Sequence, residues 1–292
     1  MILVTGASGH FGKAAIQFLL EKGVEAADIA ALVRNAESGH EFAQRGVNVV
    51  VGDYDQYDSL VNAFQGVDQL LFVSSSDVGN RLSQHRNAIE AAKSAGVKHI
   101  VYTSMQRKNE TPSSPLWVVA ESHLQTEKWI QESGMSYTFL RNNLYMDFVP
   151  GFIGENVLQS GVIFVPAQDG KVSAVLRSEM AEAAAVVLST GGHSGKQYNF
   201  SNEAAASYHD MAQAISQVSG KEIKYISPTA DEYSATLTSY GVPAEGIGIF
   251  TAFAVAQDQG ELDVVSSDME FLLGRKPLSV LEFLKGLYAK KD

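Results

Sequence analysis

The segment Thr5-Gly6-Ala7-Ser8-Gly9-His10-Phe11-Gly12 follows a short apolar run and precedes an amphipathic stretch. Read as strand, loop and helix, its G-x-x-G-x-x-G spacing has a mechanical meaning. Gly6 permits the tight turn, Gly9 lets the backbone come close to a pyrophosphate, and Gly12 lets the helix sit tightly on the strand. Ser8, His10 and Phe11 then lie where a helix N-terminus offers free N–H groups and the positive end of its dipole to a phosphate. The alternative is a plain strand–helix turn, and the strand, loop and helix context favours the cofactor site over it. The expectation is a dinucleotide site at the head of an α/β domain.

The rest of the first half keeps that rhythm. Apolar runs at 2–5, 29–33, 47–51, 70–73, 100–103 and 137–140 are continuous rather than alternating, as in strands covered on both faces. Helical patterns lie between them at 11–22, 56–64, 81–95 and 120–132, several ending at a glycine suited to a left-handed cap. This predicts a doubly wound parallel sheet of Rossmann type over residues 1–150. Beyond residue 150 helices dominate, at 178–188, 208–218 and 279–288, with short apolar runs at 162–165, 197–200 and 223–226. Residues 151–292 are expected to form a smaller, mainly helical lobe, with a segment around 178–202 woven back into the first domain. Trp117 and Trp129 read as helix packing residues.

Composition narrows the partners. The 292 residues carry 22 Lys+Arg against 33 Asp+Glu, a formal charge of −11, and residues 231–270 hold eight acids with no Lys or Arg. Such a surface suits neither nucleic acid nor an anionic membrane. The chain has no cysteine, which excludes disulfides, thiolate nucleophiles and Cys-ligated zinc, and no metal site is expected. With no signal-like leader and no run of 18 apolar residues, the expectation is a soluble, cytoplasmic protein.

Three further loops refine the cofactor. Where NAD-selective sheets carry an acid at the end of the second strand, this chain has Arg34, 22 residues past Gly12. A guanidinium there grips a 2′-phosphate that a carboxylate would repel, so NADP(H) is favoured. Gly52-Asp53-Tyr54 ends the third strand beside the adenine edge; Asp53 reads equally as a turn former and Asp55 as a helix cap. Ser74, Ser75 and Ser76 follow the fourth strand at the carboxyl edge, where ligands bind in such sheets, and serve either the ribose or a loop cap.

TGASGHFG at 5–12, LVRN at 32–35, GDYDQYDSL at 52–60, HIVYTSM at 99–105, the stretch 120–145 and LGRKPLSVLEFL at 273–284 together resemble the NmrA-like group of atypical short-chain dehydrogenases/reductases, in its quinone- and triphenylmethane-reducing branch. The resemblance implies a Rossmann domain, NADP(H) and a cleft roofed by the C-terminal lobe. Ordinary short-chain dehydrogenases carry Tyr-x-x-x-Lys, which this sequence lacks; Val119 and His123 stand at the two positions. Without that proton carrier, alcohols and ketones are poor candidates, and electron-poor acceptors that take hydride readily remain.

The resemblance implies a site around the nicotinamide formed by Thr103, Ser104, His123, Asn142 and Asn143, with Ser104, His123 and Asn143 in catalytic roles. Thr103 and Ser104 also read as strand-end caps, His123 as a structural helix residue, and the two asparagines as turn formers. An apolar, aromatic acceptor pocket is expected from Tyr145, Phe148, Phe152, Tyr233 and Phe250, each of which also reads as core packing. The primary reading is an NADPH-dependent oxidoreductase passing hydride to a quinone or similar conjugated acceptor, with a homodimer left open. The rival is an NADP-sensing regulator without turnover. A C=C reductase is weakened because His123 stands where those relatives keep lysine.

Overall fold

A computed structural model of the chain describes residues 1–289, so the end of the expected lobe, 290–292, lies outside the described residues. The strands are β1 (Ile2–Val4), β2 (Ile29–Val33), β3 (Asn48–Val51), β4 (Gln69–Phe72), β5 (His99–Met105), β6 (Ser136–Asn142), β7 (Val162–Phe164), β8 (Lys171–Val172), β9 (Lys196–Phe200), β10 (Ala206–Ser207) and β11 (Lys224–Ile226). Seven of them form one sheet in the order β3-β2-β1-β4-β5-β6-β9. Every neighbouring pair in it is parallel. The order reverses between β1 and β4, which leaves a crevice at their carboxyl ends, the usual place for a ligand in open parallel sheets.

Helices α1 (His10–Glu21), α2 (His40–Gln44), α3 (Tyr57–Ala63), α4 (Arg81–Ala95) and α5 (Trp117–Glu132) connect the early strands. β1 and β2 are buried at every position, which is why their sequences are apolar throughout. One face of the sheet packs on α3, α4 and α5 through Leu60, Phe64, Ala88, Ile89 and Ile130. The other packs on α1 and on a later helix.

After α6 (Val149–Ile153) and α7 (Val157–Ser160) comes that later helix, α8 (Arg177–Ser189). It lies against α1 on the main sheet, and β9 then joins the sheet edge beside β6. The remaining helices are α9 (Tyr208–Ser219), α10 (Ala230–Ser239), α11 (Ala244–Asp258), α12 (Asp268–Leu273) and α13 (Val280–Tyr288). Of these, α12 returns to pack on α8 and β9. The others surround a separate apolar core that includes Met146, Phe152, Ile163, Tyr208, Met211 and Leu284. Two small sheets pin this lobe, β7 with β11 in parallel and β8 with β10 antiparallel. No helix among the described residues is long and apolar enough to cross a membrane.

The element ends hold two differences from expectation. β6 runs on to Asn142, so Arg141 and Asn142 are strand residues rather than a turn, paired in register with Ser104 and Met105 of β5. Gly12 faces the glycine loop rather than the strand: a Cβ there would lie 2.4 Å from the Gly6 carbonyl oxygen. The loop and the helix are therefore in contact at a distance only hydrogen allows.

Candidate active site

A cleft of about 860 Å³ runs across the carboxyl edge of the sheet and under the C-terminal lobe. At one end the glycine loop supplies backbone. Gly6 takes φ +57°, open to glycine at no steric cost, and its carbonyl accepts from Gly9 N–H at 2.9 Å. Helix α1 then begins at Gly9 with no side-chain cap, so its first N–H groups face the cleft unoccupied by the protein. Gly6, Ser8, Gly9, His10, Phe11 and Gly12 all line this end, and so does Arg34, which is exposed and makes no ion pair or side-chain hydrogen bond among the described residues.

The neighbouring loops are held by their own polar groups. Asp53 lines the cleft, but its Oδ1 accepts from Asp55 N–H at 3.0 Å, forming a local turn. Asp55 does not cap the helix that follows; its carboxylate accepts from Gln84 Nε2. The Tyr54 hydroxyl lies 2.5 Å from Thr5 Oγ1 and 2.7 Å from the Val73 carbonyl oxygen, and burial raises its pKa. Ser74, Ser75 and Ser76 line the cleft, with the Ser75 hydroxyl donating to Gln84 and the Ser75 N–H to His85 Nε2.

Thr103 is displaced from its expected role. Its Oγ1 accepts from Ser74 N–H at 2.8 Å, and the residue is buried behind the cleft rather than lining it. It braces the serine loop. Ser104 lines the cleft, but its hydroxyl donates to Glu127 Oε1 at 2.5 Å and so cannot offer a proton to a ligand. Glu127, buried on α5, is a hub: Arg107 Nη2 and Arg141 Nη2 each reach its Oε2 at 2.7 Å, with Arg107 Nη1 and Arg141 Nε on Oε1. Burial alone would raise its pKa, and the hydrogen bonds from Arg107 and Arg141 outweigh that and hold it below the ordinary carboxylate range. This network is the floor under Ser104, built because the inner face of α5 carries Ser122, His123, Thr126 and Glu127 instead of aliphatic residues.

His123 lines the cleft beside Val119, and both of its nitrogens have protein neighbours. Nδ1 lies 2.7 Å from the Tyr102 hydroxyl and Nε2 lies 3.4 Å from Arg81 Nη1. Burial, and then the Arg81 guanidinium, push its pKa well below the ordinary histidine value, so the ring is neutral. It cannot replace the missing lysine as a cation. Beyond Tyr102, His85 Nδ1 lies 2.8 Å from Thr126 Oγ1, which donates to the Ser122 carbonyl. His85 is likewise held neutral, with its pKa lowered to about 3 by burial and then by Arg81.

Asn143 also changes role. Its Nδ2 donates to Gln106 Oε1 at 2.7 Å and to the Leu262 carbonyl at 3.1 Å, and its Oδ1 accepts from Leu144 N–H. The amide is therefore committed to joining β6 to the lobe. Asn142 is the available one: Nδ2 donates to the Tyr145 hydroxyl at 3.2 Å, while Oδ1 is buried with no partner. A buried acceptor left empty on a cleft wall is costly unless a ligand fills it.

Tyr145, Phe148, Phe152 and Phe250 line the far end; Tyr233 does not. It is buried in the core of the lobe, because that face of α10 turns inward and away from the opening. Phe152 and Phe250 meet edge to face at 4.9 Å, and Ile249 and Phe253 of α11 complete the apolar roof. Two arginines at this end were not singled out in the sequence. Arg177 lies 4.8 Å over both the Tyr145 and Phe148 rings. Arg81, at the first position of α4, is 6% exposed and lines the cleft between Ser75 and His123. A cation at the start of a helix opposes the dipole, and that was the signal available for it.

The chain matches the model of the NmrA-like family over residues 1–284. It is 36% identical to quinone oxidoreductase 2 of Escherichia coli over 290 residues, 99% of each chain. The structure of that organism's NADPH-dependent quinone oxidoreductase complexed with NADPH superposes with a TM-score of 0.92, covering 99% of this chain and 100% of that one. The Citrobacter sp. triphenylmethane reductase complexed with NADP(H) is 40% identical with a TM-score of 0.90, covering 98% and 99%. An NAD(P)H azoreductase from Xenophilus azovorans is 31% identical over 253 residues, 83% of this chain and 82% of that one. With its glycine loop, crevice and full-length likeness, the chain belongs to the NmrA-like family.

Proposed function

We propose that the protein is an NADPH-dependent oxidoreductase of the cytoplasm that passes hydride to quinones and similar electron-poor conjugated acceptors. Residues 1–150, with 177–200 returned to the sheet, hold the cofactor; the remainder of 151–292 covers the acceptor. The observation that carries this reading is the single cleft. It joins uncapped helix N–H groups and Arg34 at one end to an aromatic roof at the other, with Val119 and neutral His123 where a proton-carrying pair would stand. The likeness to a quinone oxidoreductase, a triphenylmethane reductase and an azoreductase supports it.

The residues fit a dinucleotide. The N–H groups at His10 and Phe11 would hold the pyrophosphate, Arg34 the 2′-phosphate, and the unpartnered Asn142 Oδ1 the donor hydrogens of the carboxamide. When bound, the reduced nicotinamide supplies hydride. The chain's own contribution is to fix that ring face against an acceptor held by Tyr145, Phe148, Phe152 and Phe250, and to exclude water beneath α11.

The test is anaerobic NADPH oxidation with a quinone, a cationic triphenylmethane dye and an unactivated ketone. Quinone and dye should turn over, and the ketone should be slower by about 10²–10⁴-fold for want of a proton donor. Tight NADPH binding with no turnover of any acceptor would favour the regulatory reading instead. A ketone reduced as fast as the quinone would refute the proposed chemistry.

A further inference from the structure

Arg81 is a buried guanidinium without a carboxylate. It is 6% exposed, yet no Asp or Glu among the described residues forms an ion pair with it. Its contacts are neutral acceptors: Nε donates to the Ser75 carbonyl at 2.7 Å, and Nη1 lies 3.4 Å from Ser122 Oγ and from His123 Nε2. Nη2 makes no hydrogen bond among the described residues. Elsewhere this fold pairs its buried arginine with care, as Arg107 on Glu127 shows. A buried cation left uncompensated is a cost that stability alone does not explain, and such strain collects where a ligand needs it.

The surroundings hold that cation in place and keep it charged. The neutral His123 ring, fixed from behind by Tyr102, supplies an acceptor rather than a competing proton. Burial lowers the Arg81 pKa, but a guanidinium begins so high that it stays charged at any working pH. The side chain passes the Ser75 carbonyl to reach His123 and lines the same cleft as Val119, Asn142 and Tyr145. Tyr145, which the proposed function gives to the acceptor, lies close enough to act on its charge.

We propose that Arg81 is a catalytic residue that stabilises the negative charge appearing on the acceptor oxygen during hydride transfer. The proposal rests on the quinone-reducing reading above. As the C4–H bond of the reduced nicotinamide breaks, hydride forms an O–H bond at one quinone oxygen, the ring becomes aromatic, and the π pair of the opposite carbonyl moves on to its oxygen. The product at that moment is a hydroquinone monoanion, and solvent water supplies the last proton. A preorganised donor aimed at such an oxygen acts where charge develops and costs no reorganisation during the step. A triphenylmethane cation behaves in the opposite way: hydride neutralises it, no oxyanion forms, and Arg81 has nothing to stabilise.

The experiment compares the wild type with Arg81→Gln and Arg81→Lys. In Arg81→Gln, kcat for a quinone should fall about 10²–10³-fold, the usual consequence of losing one oxyanion donor. Reduction of a cationic triphenylmethane dye should stay level or improve, the Kd for NADPH should hold, and Tm should be unchanged or higher. Arg81→Lys, which keeps the cation, should retain part of the quinone rate. A readout independent of turnover uses an acidic nitrophenol as the product-like probe. The wild type should bind it as the coloured phenolate and Arg81→Gln should not. Equal losses with quinone and dye, accompanied by weaker NADPH binding, would make Arg81 a cofactor anchor and overturn the proposal. So would an unchanged quinone rate. If the wild type reduces neither acceptor, the proposed function fails, and the nitrophenolate signal still decides whether Arg81 recognises an oxyanion.

Discussion

The glycine-loop end of the cleft is lined chiefly by backbone, whereas the Asn142–Tyr145 end is lined by side chains from β6, α4, α5, α8 and α11. The first end is local: eight consecutive residues set a turn, expose N–H groups and hold the helix close enough that a Cβ at Gly12 would collide with Gly6. Its cation, Arg34, makes no ion pair or side-chain hydrogen bond among the described residues. At the second end almost every polar group is tied into a shared structure, from Glu127 through Ser104 to the Arg81–His123–Tyr102 line. Removing Glu127 from the second end should therefore weaken the protein, whereas substitutions at the first end should weaken only the complex.

Glu127→Ala tests that contrast most severely. It leaves half-buried Arg141 without its carboxylate and buried Arg107 with only the exposed Glu110, and it removes the acceptor of the Ser104 proton. Breaking a buried pair on one side costs about 3–5 kcal/mol, because the remaining charges stay in the interior. Urea denaturation should show a loss of that size, with quinone reduction falling in the fraction that stays folded. A midpoint within error of the wild type would mean that the arginines find water, and that this end is no more integrated than the other.

The contrast also explains what the sequence made legible. Fully buried parallel strands such as β1 and β2 are apolar at every position, so their number and order of appearance are plain from composition alone. The glycine loop is legible because its function is local. The Asn142–Tyr145 end is assembled from segments far apart in the chain, as when Asn143 reaches the Leu262 carbonyl 119 residues on, and nothing in a linear spacing announces such a contact. Tyr233 shows the consequence: an aromatic residue in the right region faced the lobe core instead. Helix α11 was missed for another reason. Gly246, Gly248 and its aromatic residues are weak helix formers, and packing of Phe250 and Phe253 against Phe152 overrides that preference. Ser122, His123, Thr126 and Glu127 were a readable sign, since four polar residues on the inward face of a helix need partners.

The buried histidines give the next largest effect. His85 and His123 are neutral in the folded protein because burial and the Arg81 charge disfavour the imidazolium. In the unfolded chain they bind protons near pH 6.5. Their folded values are depressed, so the stability they contribute is present above pH 6.5 and is lost as the pH falls toward about 3, where His85 itself titrates. At pH 5 the loss from His85 should be about 2 kcal/mol, and His123 adds to it in the same direction. The urea midpoint should therefore drop between pH 7 and pH 5, and His85→Gln should make that slope shallower. An equally steep slope in the variant would assign the acid sensitivity to other groups.

Arg34→Ala should have the smallest effect on the protein and the most selective effect on its ligand. Arg34 is exposed at the end of β2, lines the cleft and has no partner among the described residues, so its removal breaks no bond within the fold. The urea midpoint should not move. A charge-assisted contact to a 2′-phosphate contributes about 1–3 kcal/mol, so NADPH binding should weaken roughly tenfold or more. NADH, which has no such phosphate, should bind almost as before. Because the contact is exposed, the NADPH difference should also shrink as salt is raised. Fluorescence titration of both cofactors at two ionic strengths measures all of this. Equal losses for NADPH and NADH would assign Arg34 to the adenine stack rather than the phosphate. A fall in the urea midpoint would remove the contrast between the two ends of the cleft, since the cofactor end would then also be held together by its charged side chain.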